Sequence, residues 1–352
     1  MDSFTKSKNS FGLICFDEAH KAATKTSQQG HNLLKMDSAY KVAATGTLLT
    51  NSPLSCYVPL YWTGNDHSTL TMYKSQYCNF GGFNNSQVVG YKNLDLLKDE
   101  LEHCSIRRTL DQVRDSMPQK TVVTELVEMS EADRKFYEAI RDGVKEEADK
   151  IDLKSGNLLA LTTRLRQATA CPSVLSTDPP ESTKVDRCCE IVEELVEQGE
   201  KVVILSMFKE TVAVLQTKLE RFHPSVNTGD IPDYVVSKNV DRFQNDPNEK
   251  VFIGTWAKVS TGLTLNAAAY MVCIDTPYTY AMTSQGTDRI WRVNNTRPAF
   301  ITILADAGTI DERVLEIVNT KKELSEYIID DVQNTFAEVN LNDELRKIIA
   351  DL

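Results

Sequence analysis

The 352 residues hold no apolar run that approaches the ~20 residues of a membrane-spanning helix; the longest are strand-length. The opening residues, MDSFTKSKNS, lack the apolar stretch of a secretory leader. Eight cysteines, at 15, 56, 78, 104, 171, 188, 189 and 273, form no CxxC pair, and the five histidines form no HxxxH pair. Zinc-ligand spacing is therefore missing, and the cysteines read as buried free thiols in a reducing, cytoplasmic setting. Positive charge is short too. Lys and Arg number 39 against 50 Asp and Glu, a net −11, which excludes a simple basic nucleic-acid-binding module. A single basic groove is not excluded, because acidic residues concentrate after Thr309.

What is present fits a globular chain: 41% hydrophobic and 25% charged residues, with length enough for two domains. An apolar run at 13–16 reads as a fully buried strand, and 41–44 as another. Residues 54–87 read as short helices and loops, and 94–103 as a helix. A β-branched strand is expected at 121–129, then helices at 131–150 and 158–170. After the Pro-rich stretch TDPPEST, helices at 184–198 and 210–222 and one containing Val240 and Phe243 alternate with strands at 201–206, 251–255, 271–274 and 300–304. That rhythm predicts a parallel sheet with crossover helices. Thr309-Ile310-Asp311-Glu312 predicts a capping box opening a C-terminal helix.

Four stretches carry candidate chemistry. In FGLICFDEAH, residues 11–20, adjacent carboxylates follow an apolar strand. Phosphoryl transfer to water needs a divalent cation and a group that positions the water, and Asp17 and Glu18 can divide those tasks; an ordinary solvated strand end is the alternative. His20 follows the small Ala19 and is a candidate phosphate sensor or link between lobes. Ala44-Thr45-Gly46-Thr47 is a polar turn after a strand, a type that is common without any special role. In QGTDRIWR, residues 285–292, Arg289 and Arg292 lie three apart and would share a helix face, either as a pair of arginine fingers or as a solvated basic surface. Trp291 between them reads as packing. In GTWAKVSTGLTLNAA, residues 254–268, small and hydroxyl residues around Gly262 either let backbone approach phosphate, with Lys258 adding charge, or form a flexible loop.

The order of these stretches resembles one family, the Swi/Snf-type, DEAH-box helicase-like ATPases of superfamily two, especially their bacterial and phage forms. DEAH at 17–20 resembles motif II, ATGTLLTNSP at 44–53 motif III, KVVILSMF at 201–208 motif IV, residues 254–268 motif V and QGTDRIWR motif VI. IRRTLDQV, LTTRLRQATACPSVL and VDRFQNDPNEKVFIGT agree with it, and the likeness spans residues 11 to about 330. Motif VI departs from the family by lacking the histidine that usually follows its first arginine. No GxxxxGK[ST] loop occurs in the 352 residues.

The resemblance implies an α/β fold of two RecA-like parallel-sheet lobes with helical insertions, the first lobe incomplete. Expected divisions are 1–110 for part of the first lobe, 111–180 for linking elements, 181–310 for the second lobe and 311–352 for C-terminal helices. It implies ATP and Mg2+ as cofactors, Asp17 on Mg2+, Glu18 on water, and Arg289 and Arg292 as fingers. His20, Thr45, Thr47 and Gln285 would couple the lobes. Ser206, Lys209, Thr255, Lys258, Gly262 and Thr264 would meet the backbone of double-stranded DNA without reading its sequence. Two functions stay open: a DNA translocase whose phosphate loop lies in a separately encoded segment, and a non-catalytic remnant that binds DNA or a partner. Without the missing strands, the first lobe is expected to expose an apolar sheet edge or to be rearranged.

Overall fold

The computed structural model describes residues 11–46, 48–49, 52–81, 84, 87–108, 118–148, 155–292, 295–330 and 348. The chain divides into two compact units: residues up to Arg107 form the first together with 279–281 and 319–330, and residues 108–278 and 282–318 form the second.

The first unit begins with β1 (Phe11–Phe16), α1 (Gln28–Leu33) and β2 (Ser38–Ala43). It continues with α2 (Tyr57–Thr63), α3 (Leu70–Tyr77), the strands β3 (Cys78–Gly81) and β4 (Gln87–Tyr91), and α4 (Leu94–Cys104). β1 and β2 form a two-stranded parallel sheet in which Leu13 stands beside Tyr40 and Cys15 beside Val42. Alternation along a strand sends neighbours to opposite faces. Ile14, Phe16 and Ala43 therefore meet a core of Leu33, Trp62, Tyr73, Tyr77 and Leu97, with Phe16 edge-on to Trp62 at 6.4 Å. The other face stays in solvent: Leu13 is 57% exposed and Tyr40 72%. The expectation of a fully buried strand at 13–16 is thus corrected, because among the described residues helices cover one side of this sheet and leave the other in solvent. The apolar surface that this sheet exposes is a face, where the expectation was an exposed edge or a rearrangement. The hairpin β3–β4 is antiparallel and was not expected.

The second unit contains β5 (Lys120–Val127), α5 (Glu131–Ala148), α6 (Ser155–Ala170), α7 (Thr183–Glu197), β6 (Val202–Ser206) and α8 (Lys209–Lys218). Then come β7 (Ser225–Asn227), α9 (Asp233–Asn245), β8 (Val251–Thr255), α10 (Trp256–Val259), β9 (Tyr270–Cys273), α11 (Tyr280–Thr287), β10 (Ala299–Asp306) and α12 (Ile310–Asp330), with the first two residues of α11 and the part of α12 from Asn319 onward grouping with the first unit. Six strands pair in the order β5-β10-β9-β6-β8-β7, all parallel. β5, expected to be a linking element, pairs with β10 along all eight of its residues and is an edge of this sheet. β7 has only three residues, too few to show an alternating pattern.

The central strands VVILS and VFIGT are buried along their whole length, as strands covered on both faces must be. Val202 and Ile204 pack with Val185, Cys188 and Val192 of α7 and Val212 and Leu215 of α8. Val203 and Leu205 face the other way, onto Phe243, Phe252, Trp256 and Met271. Each such side chain contributes roughly 1.5–3 kcal/mol by leaving water. Among the described residues no helix is long and apolar enough to cross a membrane.

Candidate functional site

At the end of β1 the chain turns into Asp17 and Glu18. Ala44 N–H donates to Phe16 O and Ala19 N–H to Ala44 O, both at 2.9 Å, so the ends of β1 and β2 are stitched together. Ala19 is fully buried in that seam, which leaves room for a small residue only. Asp17 is exposed, and its Oδ1 accepts the Glu18 N–H at 2.8 Å. Glu18 adopts a left-handed backbone (φ 54°, ψ 47°), a conformation that costs roughly 1–2 kcal/mol for a residue with a Cβ. Its Oε2 stands 3.2 Å from His20 Nδ1, which also lies 3.0 Å from Thr45 Oγ1. A carboxylate only accepts, which assigns a proton to Nδ1. Burial pulls the imidazole below its usual value, against the upward push of Glu18. His20 and Thr45, both expected to be couplers, are therefore in contact, while Thr47 lies outside the described residues. Mg2+ takes one or two carboxylates and fills its sphere with phosphate oxygens and water, so a lone exposed Asp17 suits it. Among the described residues no cluster of three His, Cys, Asp or Glu competes as a metal site.

In the second unit the candidate residues gather at the C-terminal ends of β6 and β8, the ligand-handling edge of a parallel sheet. Lys209 opens α8 and is exposed; Gly262 and Thr264 are exposed in the loop after α10. Gly262 has φ +116°, a conformation reserved in practice for glycine. Ser206 and Thr255 do not fit the expectation of phosphate contacts. Ser206 is fully buried and Thr255 nearly so. Ser206 Oγ donates to Asp275 Oδ2 at 2.7 Å and accepts from Phe208 N–H at 3.2 Å, so its hydrogen bonds are committed inside the protein.

Arg289 and Arg292 are not on a shared helix face. α11 ends at Thr287; Arg289 lies in the turn that follows and Arg292 in the irregular chain beyond that turn. Lys120 Nζ pulls that end onto the sheet edge, donating to Thr287 Oγ1 at 2.8 Å and Asp288 Oδ1 at 2.7 Å. The arginines converge through backbone contacts. Arg289 Nη2 donates to Ser260 O at 2.5 Å, Leu265 N–H donates to Arg289 O at 2.9 Å, and Arg292 Nη2 reaches Leu263 O at 3.4 Å. Both guanidiniums thus border the loop around Gly262. Arg289 is buried at 8% exposure, whereas Arg292 is half-buried. Gln285 is half-buried on α11, one residue before Gly286, whose missing Cβ would sit 2.5 Å from the Trp256 ring. Trp291 packs, donating to Pro118 O at 2.7 Å.

Sequence reasoning missed the buried polar frame beneath this edge. Asp275 accepts from Ser206 Oγ and, at 2.7 Å, from Met207 N–H, and so fixes the turn that presents Lys209. Burial raises its carboxyl, with Arg166 opposing. Arg166 donates to Thr276 O at 2.6 Å and lies 4.6 Å over the Tyr278 ring. Farther along, Lys184 is fully buried and bonds Asp311, with Asp306 at 3.7 Å. Burial draws the ammonium down, but Asp311 and Asp306 more than restore it. An Asp ending the apolar run of CIDTP was the one available signal for Asp275.

Two families match the chain: the SNF2-related domain over residues 2–174 and the helicase conserved C-terminal domain over 183–294. An uncharacterized ATP-dependent helicase of Mycoplasma pneumoniae is 24% identical over 357 residues, covering 97% of this chain and 33% of its own length. The ATP-dependent helicase FUN30 of Saccharomyces cerevisiae is 22% identical over 433 residues, 99% of this chain and 38% of its own. The chain therefore spans about a third of these curated relatives. Among solved structures, the Sulfolobus solfataricus SWI2/SNF2 ATPase core in complex with dsDNA superposes with a TM-score of 0.52 at 20% identity, covering 99% of this chain and 75% of that one. The C-terminal part of the Fun30 ATPase domain gives 0.53 at 17%, covering 67% and 98%. The fold is that of SNF2 RecA-like ATPase cores. With both matches in chain order over most of its length, the chain belongs to the Swi/Snf family of SNF2-related, helicase-like proteins.

Proposed function

We propose that this chain is the part of an ATP-driven, helicase-like motor that carries the water-positioning and arginine groups, acting on double-stranded DNA without sequence preference. The observation that carries the reading is the strained Glu18 turn at the end of β1, held against His20, which in turn meets Thr45. Strain in a residue with a Cβ persists only where its surroundings enforce it, and such outliers cluster at functional sites. The relatives named as ATP-dependent helicases and the solved core bound to dsDNA support the same direction.

In this reading Asp17 would hold Mg2+, which when bound supplies neutralising charge at phosphoryl oxygens. The Glu18 carboxylate orients and polarises the attacking water, and His20 fixes Glu18 and reports its state to Thr45. Arg292 is the better finger of the two, since it is only half-buried and its contact to Leu263 O is long; Arg289 is buried and holds the loop in place. Lys209 and Lys258 meet DNA phosphates, with Thr264 and the backbone at Gly262 beside them. The 352 residues contain no GxxxxGK[ST] loop, so nothing in the sequence matches the backbone nest that grips the β- and γ-phosphates. In this reading that grip comes from residues outside these 352. The second reading is a non-catalytic remnant that binds DNA or a partner.

The deciding experiment measures DNA-stimulated ATP hydrolysis by the chain alone and with a family phosphate-loop segment added in trans. The expected outcome is negligible turnover alone and restored turnover on addition, abolished by Glu18→Gln. Robust turnover by the chain alone that Glu18→Gln removes would refute the need for a separate grip. No turnover in either condition would favour the remnant.

A further inference from the structure

β6, β8 and β7 are adjacent parallel strands, so α8, α10 and the loop at 228–232 all leave the same edge of the sheet. That loop carries Asp230 and runs into Asp233 at the start of α9. Lys209 Nζ stands 3.6 Å from Asp230 Oδ2. Lys258 Nζ stands 2.6 Å from Asp233 Oδ1 and donates to Ile231 O at 3.3 Å. Both lysines that lead the proposed phosphate contacts are thus already occupied by carboxylates, one from this loop and one from the first residue of α9.

To an ammonium group, a carboxylate and a phosphodiester offer the same thing, anionic oxygens that accept. We propose that Asp230 and Asp233 are built-in phosphate mimics that compete with the DNA backbone for Lys209 and Lys258. The proposal rests on the reading of those lysines as phosphate contacts. The side chains of Asp230 and Asp233 are 76% and 95% exposed, so nothing locks them onto their partners. Exposed ion pairs are weak, which makes them exchangeable for phosphate. Lys258, at 16% side-chain exposure, is by contrast held in place by its surroundings, ready for either anion. The consequence for a moving motor is a lower net gain per phosphate contact: as the backbone leaves, a carboxylate takes its place, and the lysine is never left without an anion. Release of the strand is eased at the expense of resting affinity.

The test is the affinity of the full 352-residue chain for a fluorescent DNA duplex, read by anisotropy at fixed low salt without nucleotide. Asp230→Asn with Asp233→Asn is expected to tighten binding about 3- to 10-fold. Lys209→Ala with Lys258→Ala is expected to weaken it about 10-fold and to reduce the salt slope by about 2. In the alanine background the two asparagine substitutions should change affinity by less than about twofold, since a mimic acts only through its lysine. Equal tightening in both backgrounds would reduce the carboxylates to long-range repulsion and overturn the mimicry. So would no tightening in the lysine-containing protein. If the alanine variant binds as tightly as the parent, the phosphate-contact reading of the lysines falls, and the mimicry with it.

Discussion

At the level of single residues, the arginine pair separates into two jobs that the sequence presented as one. Arg289 is buried and hydrogen-bonded to Ser260 O, and a buried bond to a charged donor is worth about 1.5–3 kcal/mol. Arg289→Ala is therefore expected to lower the thermal midpoint by several degrees. Arg292→Ala should leave the midpoint close to the parent's and cut turnover of the complemented motor by roughly 10³-fold. Unfolding curves and initial rates on the same preparations separate the two; equal loss of stability in both variants would contradict the division. Asp306 supplies a second residue-scale expectation. Burial raises its carboxyl to about 7 from the ordinary 3.8, the neighbouring Asp311 adds to that, and Lys184 opposes it. A carboxyl whose folded value is raised contributes stability below its unfolded value and loses it as pH climbs through the folded one. The second unit should therefore be more stable near about pH 5 than near about pH 8, and Asp306→Asn should flatten that slope. Thermal midpoints across that window check it.

Elements show where local pattern was enough and where it was not. β6 and β8 are legible because a strand buried on both faces reads as an unbroken apolar run. The start of α12 is legible because its cap is local: Thr309 Oγ1 accepts from Asp311 N–H at 3.2 Å, and Glu312 accepts from Gly308 N–H at 3.0 Å. The end of α11 was not legible, since Lys120, more than 160 residues earlier, is what holds it. Gly286 makes that helix sensitive. Gly286→Ala would drive a methyl into the Trp256 ring, an overpacking that costs about 1–3 kcal/mol. The expected result is a lowered midpoint with an altered Trp environment in near-ultraviolet circular dichroism, and a wild-type spectrum would argue against the contact.

On the scale of the whole molecule, the two units differ in how completely their sheets are covered. The six-stranded sheet buries both faces of its central strands, while the two-stranded sheet leaves Phe11, Leu13, Tyr40 and Val42 in solvent. Parallel sheets are ordinarily covered on both sides, and exposed apolar faces with unpaired edges promote association. The chain is expected to self-associate at micromolar concentration. Leu13→Thr, Tyr40→Thr and Val42→Thr together should suppress that, as read by light scattering, with the unfolding of the second unit unchanged. Unaltered scattering would place the association elsewhere.

The sequence by itself determined the α/β class, the order of the motifs and the presence of adjacent carboxylates at a strand end, because each is written in contiguous residues. Side-chain period, turn chemistry and motif spacing act over a few positions and survive without the rest of the fold. Only tertiary structure decided that Ser206 is spent on Asp275, that Arg289 braces a loop, and that Asp230 and Asp233 sit on Lys209 and Lys258. Those outcomes depend on which strands become neighbours. A polar residue's role follows from the partner that reaches it first, and here that partner lies tens of residues away, across the edge of a parallel sheet.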